Sequence, residues 1–97
     1  MTVVLDLGLN LLSAGCNSHR LTKLQAKVLA ILADAYPDPI SIFNLGAVIR
    51  GEGISKSQSP DIVADTALRY IKNISETLLE RSRAEWRLRV PVEIKGA

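Results

Sequence analysis

Ser59-Pro60-Asp61-Ile62-Val63-Ala64 begins the stretch whose reading decides the fold, and Glu85-Trp86-Arg87-Leu88-Arg89-Val90-Pro91-Val92-Glu93-Ile94-Lys95 closes it. The first run is a helix start. A serine can cap free backbone N–H groups, proline suits the first helical position, and an early aspartate complements the positive end of the helix dipole. Ala67, Ile71, Ile74 and Leu78 then recur at spacings of four, three and four, which predicts a buried stripe on a helix of about residues 60–81. Asp65, Arg69, Lys72, Asn73, Glu76 and Glu80 fall away from that stripe at about 100° per residue. The closing run alternates instead. Trp86, Leu88 and Val90 share one parity and Arg87 and Arg89 the other, as expected of a strand pair with one basic face.

Working back toward the N-terminus, Gly51 to Ser59 is polar and reads as an exposed loop, with Gly51-Glu52-Gly53 supplying the glycine stop of a preceding helix. Ser41 is that helix's N-cap candidate, and Leu45, Val48 and Ile49 make its apolar face. Tyr36-Pro37-Asp38-Pro39 stops a still earlier helix. That helix starts at Thr22, which forms a capping-box signature with Gln25, and carries Leu24, Val28, Ile31, Leu32 and Ala35 at helical spacing. Over residues 3–12, Val3, Leu5, Leu7, Leu9 and Leu11 alternate with Asp6, Gly8 and Asn10, the pattern of half-buried strands. Ala14-Gly15-Cys16-Asn17-Ser18 supplies turn residues, and His19 to Leu21 a short returning strand. The N-terminus therefore reads as a small β-meander.

Composition sets the outer limits. With 97 residues, 47% of them hydrophobic, the chain builds one domain, residues 1–97, around a modest core. Its net charge is only +2, so affinity for nucleic acid has to come from where charge is placed. A single cysteine, Cys16, excludes an internal disulfide and any multi-cysteine metal site, fits a reducing cytoplasm and reads as a small buried thiol. His19 has no second histidine or cysteine to join it, so it reads as a sheet-surface residue with no metal. It is also the only conceivable base for Ser55, Ser57 and Ser59, and no nucleophile elbow or phosphate-cradling glycine loop occurs. We therefore expect no catalytic residues, no cofactor, no small-molecule substrate and no membrane span, hence a cytoplasmic protein that is not an enzyme.

Strands, capped helix, capped helix ending in glycine, loop, long helix and terminal strand pair follow one another in an order that resembles the winged helix-turn-helix effector domain of OmpR-like response regulators. Three matches carry the resemblance. His19-Arg20-Leu21-Thr22 enters a helix from a strand pair, Ile40-Ser41 precedes Leu45, Ile49 and Gly51, and Leu68 to Leu78 has the spacing of a recognition helix. The resemblance implies an α+β winged helix-turn-helix fold, with an N-terminal β-meander, three helices and a C-terminal β-hairpin wing. It also implies a transcriptional regulator that binds double-stranded DNA, as a homodimer.

In that setting Arg69, Lys72 and Asn73 would be presented to base edges and phosphates, since arginine can bond guanine bidentately and asparagine adenine. Arg81, Arg83, Arg87 and Arg89 surround Glu85 and would be the phosphate or minor-groove contacts, with Lys95 beyond them on the same stretch. Each group has a plainer reading. The helix face can be solvated, with Glu76 four residues after Lys72, and arginines on a strand edge can simply oppose aggregation. Trp86 shares its parity with Leu88 and is expected in the core. Where the family usually carries a basic run this chain has Ser75-Glu76-Thr77, and where it has a glycine-rich wing tip this chain has Val90-Pro91-Val92. The alternative is therefore a winged-helix protein–protein interaction module, for dimerisation or as an adaptor, indistinguishable from a regulatory subunit or inhibitor of a larger enzyme.

Overall fold

A computed structural model describes residues 2–50 and 57–96. The chain is α+β, and among the described residues it forms three helices and seven strands. Three short strands, β1 (Val3–Asp6), β2 (Leu11–Ala14) and β3 (Asn17–Arg20), make an antiparallel meander. The turn between β1 and β2 is held by Asp6, whose carboxylate accepts from the backbone N–H of Gly8 at 2.9 Å and of Leu9 at 3.1 Å. That turn resets the alternation expected over residues 3–12. Val3 and Leu5 are buried, but after it the even-numbered Leu12 takes the inward position and Leu9 lies 61% exposed. Gly15, at φ +62°, makes the tight turn from β2 to β3 that an ordinary side chain would resist.

Helix α1 (Lys23–Ala35) begins with the expected reciprocal cap. Thr22 Oγ1 accepts from the Gln25 N–H at 3.1 Å while Gln25 Oε1 accepts from the Thr22 N–H at 2.9 Å. After β4 (Ile40–Ser41), Ser41 caps α2 (Ile42–Ile49) by accepting from the Asn44 N–H at 3.1 Å. Leu45 and Ile49 are buried as expected, but Gly46 completes that face and Val48 is 52% exposed. The glycine stop expected at Gly51-Glu52-Gly53, Ser55, and most of the polar loop lie outside the described residues. Helix α3 (Pro60–Ile74) starts at Ser59 with Pro60 in its first turn, though the Ser59 side chain makes no cap hydrogen bond.

The expected helix of about 60–81 is shorter than its spacing suggested. At Ser75 the backbone turns extended (φ −142°, ψ 90°) and the Ser75 N–H closes the last helical bond to the Ile71 carbonyl. Serine and threonine compete for backbone hydrogen bonds and so favour helix ends, and Ser75 and Thr77 sit at this one. Leu78 fitted the helical stripe by coincidence. It is buried, but from the turn that leads into β5 (Leu79–Ser82). Glu80 therefore projects from a strand, and Glu76 lies past the helix end.

The terminal hairpin is likewise displaced. β5 pairs with β6 (Glu85–Leu88) through a turn at Arg83 and Ala84, where Arg83 takes a positive φ of 58°. The stretch Val90-Pro91-Val92 is not a hairpin tip. Pro91 cannot donate to a ladder, and after it β7 (Val92–Lys95) joins the meander, pairing parallel with β1. One sheet thus has the order β3-β2-β1-β7 and the other β4-β6-β5. Their inward faces and all three helices contribute to one buried cluster, with Leu5, Leu29, Leu32, Leu45, Leu68 and Trp86 among its members.

Candidate nucleic-acid interface

Helix α3 and the β5–β6 hairpin are joined through one carboxylate. Asp65 Oδ1 accepts from Arg81 Nε and from Trp86 Nε1, both at 2.8 Å, and its Oδ2 accepts from Arg69 Nε at 2.9 Å. Burial raises the affinity of Asp65 for a proton, but the hydrogen bonds from Arg69, Arg81 and Trp86, with the charge of Arg81, outweigh it and hold the carboxyl below the usual carboxylate range. Arg81 also lies over the indole of Trp86, 5.9 Å from its centroid. Trp86 is 1% exposed, so its N–H would be a buried donor without an acceptor if Asp65 were absent.

Asp65 was expected to face solvent. It lies on the flank of α3 rather than opposite the buried stripe, and the hairpin covers that flank. Two signals in the sequence pointed to its role: the four-residue spacing from Arg69, and the need of a core tryptophan for a hydrogen-bond acceptor.

A second cluster centres on Glu80 of β5. Arg87 on the neighbouring strand donates to it at 2.7 Å through Nη2. That bond and the Arg87 charge hold the Glu80 carboxyl below its ordinary value against slight desolvation, helped by the charges of Arg89 and Lys72. Of these cations Arg87 bonds Glu80 directly, while Arg89 and Lys72 reach it through their charge alone. Lys72 lies near enough for its charge to favour the ionised form of Glu80.

The remaining candidates separate. Asn73 is exposed on the outer face of α3, with Ile62, Thr66 and Arg69 along the same line of the helix. Arg83 is exposed at the hairpin turn. Lys95 belongs to β7, in the other sheet, and does not join the hairpin group. Cys16, expected as a buried thiol, is exposed in the β2–β3 turn, while His19 sits half-buried on β3.

Exposed apolar residues also occur on α2 and α3. Ile62 is 65% and Tyr70 47% exposed on α3, and Phe43 is 61% exposed on α2. A groove of about 480 Å³ runs between the start of α1 and the first half of α3, lined by Thr22, Gln25, Ser59, Ile62, Val63 and Thr66 among others. None of its described lining residues ionises, so it presents a neutral surface. No cluster of three or more histidine, cysteine or acidic side chains that could hold a metal occurs among the described residues. No helix among them is long and apolar enough to cross a membrane. Comparison of the chain with family models, curated proteins and solved structures gave no match.

Proposed function

We propose that the chain is a winged helix-turn-helix module that binds double-stranded DNA as a cytoplasmic transcriptional regulator. Helix α3 would enter the major groove and the β5–β6 hairpin would lie on the adjacent backbone as the wing. The observation that carries this reading is the fastening of helix to hairpin through Asp65, with the charges of Arg87, Arg89 and Lys72 acting on Glu80 of the same hairpin. A rigid helix flanked by a basic hairpin matches a groove and its phosphates together. The pairing of β4, which lies between α1 and α2, with hairpin strand β6 supports the same fold reading. One such module covers little DNA, so a homodimer on paired half-sites is the working form.

Titration of the protein with random-sequence duplex DNA tests this. We expect binding at low salt that weakens steeply as salt rises, because each neutralised phosphate releases counterions. Joint replacement of Arg69, Lys72, Arg87 and Arg89 by alanine abolishes it. Absence of affinity at low salt, or affinity unchanged in that variant, refutes the reading.

The exposed Phe43, Ile62 and Tyr70 favour a second reading, a winged-helix interaction module without DNA binding. A stable dimer by light scattering, with no affinity for duplex at any salt, would support it.

A further inference from the structure

Arg69 is held through one side of its guanidinium. Its Nε donates to Asp65 Oδ2 at 2.9 Å, and its two terminal nitrogens have no partner among the described residues. The side chain is 58% exposed on the outer face of α3, while the Asp65 side chain is only 16% exposed and fixed from behind by Arg81 and Trp86. A guanidinium gripped by Nε keeps both terminal NH₂ groups directed outward as a planar fork, and restraining it beforehand reduces the entropy lost on binding. A bidentate fork of this kind matches the O6 and N7 acceptors of guanine in the major groove.

We propose that Asp65 is a positioning residue that aims Arg69 at one guanine, making a single base pair the point of strongest sequence preference in the DNA that this module binds. The proposal rests on the DNA reading above. Asp65 itself touches no base. Its other oxygen holds the hairpin, so base-reading helix and backbone-contacting wing are set by the same group.

The two oxygens of Asp65 allow a selective test. In Asp65→Asn the oxygen can remain with Arg81 and Trp86, while the amide nitrogen meets Arg69 Nε as donor against donor and releases the fork. Arg69→Lys keeps the charge, removes the fork and leaves the bonds to Arg81 and Trp86 intact. The full chain and both variants are used to select sites from a duplex pool with a randomised core, and binding to unselected duplex is measured at the same salt.

We expect the unaltered protein to enrich guanine at one fixed position. Both variants lose that preference by about tenfold, a larger drop than in their affinity for unselected duplex, whereas loss of fold would lower the two together. Circular dichroism checks the fold of each variant. If Asp65→Asn fails to fold, Arg69→Lys decides alone.

Enrichment without a preferred guanine, or a preference that survives in the folded variants, overturns the proposal and leaves DNA binding standing. No affinity of the unaltered protein for any duplex overturns both.

Discussion

Asp65 is the residue on which helix and hairpin depend, and its replacement is correspondingly costly. In Asp65→Ala the Trp86 N–H, buried with its ring, loses the one acceptor it has among the described residues, and Arg81 is left partly buried without this counter-ion. We expect a loss of about 2–3 kcal/mol in chemical denaturation, the range for orphaning a buried donor and one charged partner. The same carboxylate makes stability depend on pH. Its affinity for protons is lower folded than unfolded, so the unfolded chain binds more protons in the window between the two values. The stabilisation is fully present above an unfolded aspartate's value of about 3.9 and declines as pH falls through the lower folded value. Denaturation followed from pH 6 downward should show this decline beginning below about pH 4 and reduced in Asp65→Asn. Little of this was legible beforehand. The parity of Trp86 with Leu88 located the indole correctly and Arg69 stood at helical spacing, but the two hairpin partners of Asp65 lie sixteen and twenty-one residues along the chain, where helical spacing carries no information.

Elements whose limits are set by neighbouring residues were the legible ones. Thr22 and Gln25 marked the start of α1, Ser41 that of α2, and both caps form as side-chain to backbone bonds. Thr22→Ala should therefore cost about 1 kcal/mol, read as a lower denaturation midpoint with an unchanged slope. The end of α3 was misread because Ile74 and Leu78 keep a helical interval across a break made by Ser75. Likewise, the strand alternation through Trp86, Leu88 and Val90 continued past the point where the chain leaves its hairpin. Gly46 shows the limit of reading one element alone. A Cβ there would stand 2.8 Å from the Asp61 backbone nitrogen, so α2 and α3 can cross this closely only at a glycine. Gly46→Ala should push the two helices apart, costing roughly 1–3 kcal/mol as overpacking does. If the DNA reading holds, it should also lower affinity through the displaced helix.

Across the whole molecule, mixed α+β composition and the N-terminal meander could be read from the pattern of apolar residues, but the partner of the last strand could not. β7 passes the hairpin and lies parallel to β1, with Val92 opposite Val3 and Lys95 opposite Asp6. Parallel pairing between the two ends of a chain leaves no local signature, since no turn residue marks it. Deleting residues 91–97 should therefore damage the N-terminal sheet more than the hairpin. We expect a lower melting temperature and concentration-dependent aggregation by light scattering, because the apolar edge of β1 loses its cover.

That same pairing dictates a sequence of events during synthesis. The ribosome releases β1 long before β7, so the nascent meander carries an open flank until β7 emerges and seals it.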